Sequence, residues 1–374
     1  MPQLLPEKQL TALLTQAEAT HSDALAIMHN GELVNVWRFG KDKMLIETMS
    51  VTKSIVSLAV GRLMTLGQLE TIDLPICQMY PEWQQGRKAD ITLRHLMGHT
   101  SGLQNVPNAR TEIYPAPDVV QLALCAELEH DPGARFAYNN KAVNLIAGII
   151  EKVSGSKLDV FTADEVFAPL GITDYTWMRD AAGNPHVMAG LELYPEDLAN
   201  LGQLVINQGR WQDTQIIRPE WFEESLQPSF APVPSSGLLW WRLHDVTWSV
   251  TARHVEAMAA SGVSASKLYD AVGEYHAWFE YANAMETVLG SSWRDTVYRL
   301  TKDVKHVDED DRGLIGYYAE GWLGQYLYIF PKQSLVVVRL ICEDSVQDKE
   351  NINFPAFERL VLELARAISD TIAS

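Results

Sequence analysis

The chain has only three cysteines, Cys77, Cys125 and Cys342. That number is odd and the spacing wide, so neither a disulfide framework nor a zinc site is indicated, and the three read as buried apolar thiols. Long hydrophobic runs are missing as well. No segment approaches the roughly 20 unbroken apolar residues of a membrane span. The first residues, "MPQLLPEKQLTALLTQAEATHSD", lack a basic region followed by an apolar core and a small-residue cleavage site; they read as an amphipathic helix after Pro6, and a cytoplasmic location is the expectation. Positive charge is in deficit, with 30 Lys and Arg against 48 Asp and Glu for a net −18. A field of that sign repels phosphate backbones and anionic lipid, so neither nucleic acid nor membrane is expected as a partner.

Several chemical signatures are absent too. There is no Gly-x-Ser-x-Gly elbow and no dinucleotide glycine pattern. His95 and His99 have the spacing of a helical metal pair, but no glutamate follows His95, and no metal is expected. Asp308 to Gly313 resembles a calcium loop, yet Arg312 takes a ligand position and Ala319 stands where a bidentate glutamate is required. The run Asp308 to Asp311 reads as a solvated turn, and no cofactor is indicated.

What is present is a 374-residue chain, 47% hydrophobic and 21% charged, with the balance of a globular protein able to bury a large core. Two strand-like runs, Ala24 to His29 and Leu33 to Phe39, meet at Asn30-Gly31, a strong hairpin signal. "QYLYIFPKQSLVVVRLIC" repeats the pattern around Pro331 to Gln333, and an amphipathic helix follows over Phe354 to Ile372. The stretches "PDVVQLALCAELE", "NKAVNLIAGIIEKVSG" and "YPEDLANLGQLVINQG" between them have helical periodicity. The expected fold class is therefore α+β: an antiparallel sheet from both chain ends, flanked by helices, with a mostly helical domain inserted. The expected boundaries are an α/β part over 1–72, a helical domain over 73–236, a strand over 237–243, a helical insertion over 244–311 and the rest of the α/β domain over 312–374. Trp248, Tyr275, Trp278 and Tyr281 in the insertion read as helix packing, with a lid over an apolar acyl pocket as the alternative.

Ser50 and Lys53 stand one turn apart at the mouth of an apolar helix, in "ETMSVTKSIVSLAVGRLMTLGQL". A serine nucleophile needs a base within about 3 Å, and a helix N-terminus favours developing negative charge. Lysine enclosed by apolar residues can exchange protons near neutrality. The same spacing recurs at Ser154 with Lys157 and at Ser264 with Lys267, so the pair alone carries little; taken alone, it reads better as a capping serine with a solvated lysine. In "DPGARFAYNNKAVNLIAGII", Tyr138 is a candidate base if Lys53 stabilises its phenolate, or else a packed tyrosine with Asn140 as helix N-cap. Tyr281 and Asn283 repeat that spacing inside the insertion.

Six ordered blocks change the weight of these pairs: "MSVTKSIVSLAVGRLMTLGQLETID", "DITLRHLMGHTSGL", "PGARFAYNNKAVNLIAGIIEKVSG", "VFAPLGITDYTW", "PEDLANLGQLVINQGRW" and "GWLGQYLYIFPKQSLVVVRL". In that order the chain resembles the serine β-lactamase-like hydrolases, the superfamily of class C β-lactamases, penicillin-binding DD-peptidases, family VIII carboxylesterases and nylon-oligomer hydrolases. The resemblance implies Ser50 as acylated nucleophile, Lys53 as its proton partner, Tyr138 as general base and Asn140 as a substrate-orienting side chain. It also implies an oxyanion hole from the Ser50 N–H and a residue at Gly321 or Trp322. The family's third motif, Lys-Thr-Gly or a variant, is here Ala319-Glu320-Gly321. That removes a cation that binds carboxylates, with Arg312 or Arg339 as possible replacements. The expected substrate is thus a small-molecule ester or neutral amide. A β-lactam or D-peptide hydrolase and a non-catalytic penicillin-binding or sensor module are the alternatives; the oligomeric state and natural substrate are not legible.

Overall fold

Asn30 and Gly31 both adopt positive φ, 53° and 78°, the conformation of a two-residue hairpin turn that few residue pairs tolerate. They join the strands Ala24–His29 and Glu32–Trp37. In the computed structural model, which describes residues 5–106, 108–263, 267–300, 304–345, 354 and 356–373, the chain forms two compact units.

The larger unit comprises His21–Arg242 and Gly316–Ile352. Its sheet is antiparallel. Glu32–Trp37 pairs with Ala24–His29, which pairs with Leu335–Leu340, from Ala24 opposite Leu340 to His29 opposite Leu335. Leu335–Leu340 pairs with Gln325–Phe330, and that strand pairs with Tyr317 to Gly321 at the end of a long strand, Asp308–Gly321. Every residue of Gln325–Phe330 and Leu335–Leu340 is buried, which explains their near-continuous apolar sequence. The helix Pro195–Ile206 packs on this sheet so closely that a Cβ at Gly202 would come 2.6 Å from Val336 Cγ1. The helix that follows Ser50, Thr52–Thr65, buries twelve of its fourteen residues and runs through the same core as Leu145–Ser154. A helix buried on nearly every face, with Lys53, Ser54 and Ser57 among its buried residues, is an interior helix rather than a surface one.

The smaller unit comprises Met1–Thr20, Leu243–Ile315 and Asn353–Ser374. Helix Glu7–Ala19 buries Leu13 and Ala17 and packs against Phe357–Ala373. Trp248, Tyr281 and Trp293 form a buried ring cluster on which the half-buried Trp278 packs, with Trp248 and Tyr281 stacked at 6.0 Å. Trp248 and Tyr275 sit on strands rather than helices, opposite each other in the pairing of Trp241–Val250 with Gly273–Tyr275.

Three sequence expectations are corrected here. Residues 244–250 are strand, the continuation of Trp241–Val250, and Gly237 to Trp240 form a turn. The acidic run Asp308 to Asp311 opens a strand, with Lys305 paired to Asp308, Arg312 to Asp310, and His244 Nδ1 2.9 Å from Asp311. The cysteines are free but not deeply buried: Cys77 and Cys342 are intermediate and Cys125, at the end of Val119–Cys125, is exposed. Among the described residues no helix is long and apolar enough to cross a membrane, and no three His, Cys, Asp or Glu cluster as metal ligands.

Gly61 is the tightest point in the helix Thr52–Thr65, because a Cβ there would lie 2.3 Å from Cδ1 of the fully buried Trp221. Gly61→Val is expected to destabilise the protein by about 2 kcal/mol or more through overpacking, net of a small gain in helix propensity. Urea unfolding checks this; a midpoint equal to wild type would show that the ring yields freely.

Candidate active site

Ser50 lies in a single 3-10 turn, Met49–Val51, that leads directly into the helix Thr52–Thr65. Met49 is held at φ 50°, a conformation costing a non-glycine residue on the order of 1 kcal/mol. The turn is fixed from both sides. The Val51 N–H donates to Thr48 O at 3.1 Å, and Thr48 donates through its N–H (2.8 Å) and hydroxyl (2.9 Å) to Leu191 O.

Lys53 is 3% exposed and donates to Ser50 Oγ at 2.8 Å and to the Met188 carbonyl at 2.7 Å. Burial drives its amine well below the ordinary lysine range, since no counter-charge compensates for lost hydration. Tyr138 approaches from the other side. The residue as a whole is 37% exposed, but its hydroxyl is desolvated and shares a hydrogen bond with Ser50. Enclosure raises the phenol above its ordinary value; the Ser50 hydrogen bond opposes this and the Glu320 charge adds to it. The direction is therefore that of a neutral phenol beside a neutral amine, rather than the phenolate held by an ammonium that the sequence suggested. Lys53 Nζ lies over the Tyr138 ring, 5.0 Å from its centre.

His99 closes the inner wall. It is buried, its ring 4.5 Å from that of Tyr138, and its Nδ1 accepts the Asn139 N–H at 3.2 Å. Desolvation and then the nearby Lys53 lower its pKa to about 3, so it is neutral and the proton sits on Nε2. His95 does something else: its Nδ1 accepts the Thr92 N–H at 3.2 Å in a capping box.

Asn140 is the first residue of the helix Asn140–Val143, and the N-cap is its neighbour Asn139, whose Oδ1 accepts the Ala142 N–H at 2.8 Å. The Asn140 Oδ1 is buried without a hydrogen-bond partner, and no hydrogen bond joins Asn140 to Lys53 among the described residues. Asn144 instead organises the far side, accepting the Val187 N–H at 2.8 Å and the Met188 N–H at 3.4 Å, next to the carbonyl that Lys53 uses.

Ala319 and Glu320 line the pocket with Ser50, Lys53 and Tyr138. Gly321 packs its backbone on the nucleophile turn: a Cβ would meet Thr48 O at 2.7 Å and the Ser50 amide nitrogen at 3.0 Å. Trp322 turns its side chain outward, 43% exposed, under the Arg110 guanidinium 5.0 Å from the ring centre. Neither arginine takes the place of a third-motif cation. Arg339 is buried and spends its guanidinium on Leu323 O at 2.8 Å, Gly324 O at 2.7 Å and Ser22 Oγ at 2.8 Å. Arg312 belongs to the other unit, where it pairs with Asp245 and Asp310.

The enclosed space at Ser50 is about 10 Å³, enough for about one water molecule. A larger cleft of about 470 Å³, beside Tyr80 and Glu151, contains none of these groups; chemistry rather than volume marks the site. The repeated spacings resolve as structure. Ser154 Oγ donates to Ile150 O and Lys157 pairs with Glu151, Tyr281 belongs to the ring cluster, and Ser264 lies outside the described residues.

The profile of the beta-lactamase family matches residues 9–353, and the chain belongs to that family. Esterase EstB of Burkholderia gladioli is 29% identical over 153 residues, 36% of this chain and 38% of that protein. Protein flp of Staphylococcus aureus strain MW2 is 27% identical over 157 residues, 39% of this chain and 31% of that protein. The chain spans less than half the length of the curated relatives it matches. Among solved structures, the octameric penicillin-binding protein homologue from Pyrococcus abyssi superposes with a TM-score of 0.61 at 17% identity, over 95% of this chain and 77% of that one, a likeness of fold.

The depressed Lys53 pKa has a stability consequence of definite sign. Between that lowered value and 10.5 the unfolded chain binds the Lys53 proton and the folded one does not, so stability from this group rises with pH across that window and is lost as pH falls through it. Lys53→Met removes the titration. The stability of wild type relative to Lys53→Met is expected to increase from pH 6 to pH 10 in urea unfolding; a difference flat with pH would contradict a depressed lysine.

Proposed function

We propose that this protein is a serine hydrolase that works through an acyl-enzyme on Ser50, acting on carboxylic esters or neutral amides. The observation that carries the reading is the 2.8 Å contact between a buried Lys53 amine and Ser50 Oγ. A neutral amine at that distance is a base already in place.

In the proposed cycle the Ser50 hydroxyl proton passes to Lys53 Nζ as Oγ forms a bond to the substrate carbonyl carbon. The resulting oxyanion is met by the Ser50 N–H and by the backbone N–H that follows Gly321, the glycine whose missing side chain lets the strand close on the nucleophile turn. Collapse breaks the bond to the leaving alkoxide or amine, which takes a proton from Lys53 through the Tyr138 hydroxyl. Water then attacks the acyl carbon, giving up a proton along the same route, and Ser50 departs reprotonated as the carboxylic acid is released. Asn140, with its unpartnered buried oxygen, is proposed to accept a hydrogen bond from a substrate N–H or O–H.

The esterase among the relatives supports the ester reading. β-Lactam or D-peptide hydrolysis is less well served, since Ala319 supplies no cation for a substrate carboxylate and Glu320 repels one. A non-catalytic module is disfavoured by the base, nucleophile and phenol meeting at one point.

Fluorophosphonate labelling, with the adduct located by mass, together with turnover of a p-nitrophenyl ester series and a chromogenic cephalosporin, tests this. Label is expected on Ser50 only, ester turnover is expected to fall at least about a thousand-fold in Ser50→Ala, and esters are expected to outpace the cephalosporin. Label elsewhere, or turnover unchanged in Ser50→Ala, refutes the mechanism; a faster cephalosporin reverses the substrate order.

A further inference from the structure

A neutral primary amine has two N–H donors and one lone pair, so it serves as a base toward Ser50 only when the lone pair, and not an N–H, faces Oγ. At Lys53 a carbonyl decides which. Met188 O takes Lys53 Nζ at 2.7 Å and also lies 3.4 Å from Ser50 Oγ, within reach of the hydroxyl. With an amine N–H on the carbonyl, the Ser50 hydroxyl is left to the lone pair. With the hydroxyl on the carbonyl instead, the amine turns an N–H toward Oγ and the serine proton has no base. A small displacement of one carbonyl exchanges the two arrangements.

The chain around Met188 is a bend and not a strand, so no ladder of hydrogen bonds sets its course. Side chains do so instead. The ends of the bend are tied by the His186 N–H on Met178 O at 3.0 Å and by the Gly190 N–H on Glu47 Oε1 at 2.9 Å. Its middle is held by Asn144 Oδ1, which accepts the Val187 N–H at 2.8 Å and the Met188 N–H at 3.4 Å. Asn144 is fully buried where Asn140–Val143 meets Leu145–Ser154, a place where an amide is a poor helix former and costly to desolvate. Its hydrogen bonds offset that cost. Nδ2 donates to Asn140 O at 3.1 Å, while the Asn144 main-chain N–H goes to Lys141 O at 3.2 Å. Exchanging Oδ1 and Nδ2 would set an NH2 group against two N–H donors, so the direction of the amide is fixed.

We propose that Asn144 is a positioning residue for hydrolysis: by holding the Val187 and Met188 amides it keeps the Met188 carbonyl on a Lys53 N–H, which leaves the Lys53 lone pair for the Ser50 hydroxyl. This rests on Ser50 as nucleophile and Lys53 as its base, and adds the group that aims the base. Asn144 acts through the backbone of residues 187–188 and not on the substrate. Its effect therefore falls on the chemical step.

Asn144→Leu and Asn144→Ala remove the acceptor, whereas Asn144→Asp keeps one at the same reach. Ester kinetics on each, with urea unfolding to establish the folded fraction, separate aim from packing. In the acceptor-free variants kcat per folded molecule is expected to fall about a hundred-fold with KM within about three-fold of wild type. Asn144→Asp is expected to keep kcat within about ten-fold of wild type on the alkaline plateau. Its acid limb is expected to move to higher pH, because a carboxylate near Lys53 favours the ammonium. A packing role alone would lower the urea midpoint and leave kcat of the folded enzyme unchanged. Where Asn144→Leu does not fold, Asn144→Ala decides. An active wild type with kcat held within about three-fold in the acceptor-free variants, or Asn144→Asp losing as much as they do at every pH, overturns the role and leaves the hydrolase standing. A wild type that turns over no ester and takes no fluorophosphonate on Ser50 overturns the hydrolase, and the role of Asn144 falls with it.

Discussion

Lys53 donates to Ser50 Oγ and to the Met188 carbonyl from inside a helix with almost no surface, and much of the larger unit serves to hold that contact. An ammonium there would lose its hydration with no carboxylate to compensate; a neutral amine loses far less and gains a proton-accepting lone pair. The site is therefore poised by desolvation rather than by ion pairing. Other elements supply what desolvation cannot. Asn144 pins the Val187-Met188 backbone so that its carbonyl meets the amine, and Thr48 ties the strained Met49 turn to Leu191. His99, fixed by the Asn139 N–H, backs the Tyr138 ring.

The strand end at Gly321 is held with comparable care by a residue of no chemical role. Arg339 is buried in the sheet and binds the carbonyls of Leu323 and Gly324, both at positive φ in the turn after Trp322. A buried guanidinium is costly unless its donors are met, and meeting them stiffens the turn. Stiffness there bears directly on the proposed oxyanion donor, which precedes that turn by one residue. The packing of Gly321 on the Ser50 amide is the other half of the same constraint.

Much of this was legible in the sequence where local rules act alone. Asn30-Gly31 announced its hairpin because a positive-φ turn leaves little choice of residue, and the apolar periodicity of Leu145–Ser154 and Pro195–Ile206 gave helices. Ser50, Lys53 and Tyr138 were legible only through ordered context, because Ser-x-x-Lys recurs by chance at Ser154. What was missed depends on long-range contacts. The Met188 carbonyl is backbone and leaves no residue signature. Two adjacent asparagines could each cap a helix, and Asn139 rather than Asn140 does so because its amide also reaches Leu103 O at 2.7 Å. Val246, Trp248 and Val250 alternate at strand period, but His244 and Asp245 hid the start. The acidic opening of Asp308–Gly321 disfavours a strand by propensity and is carried by contacts from near neighbours, Lys305 and Arg312, and from the distant His244.

Membership of the beta-lactamase family fixes the scaffold; the departure at Ala319-Glu320 is where this chain's own chemistry is proposed to differ. Every step of that proposal, however, depends on the charge state of one amine. Titrating the Lys53 side chain by NMR, with isotopically labelled lysine assigned through Lys53→Met, reads that state directly. The account predicts a resonance that titrates well below 10.5 and shifts when a fluorophosphonate blocks Ser50; a Lys53 that titrates at or above 10.5 would contradict it.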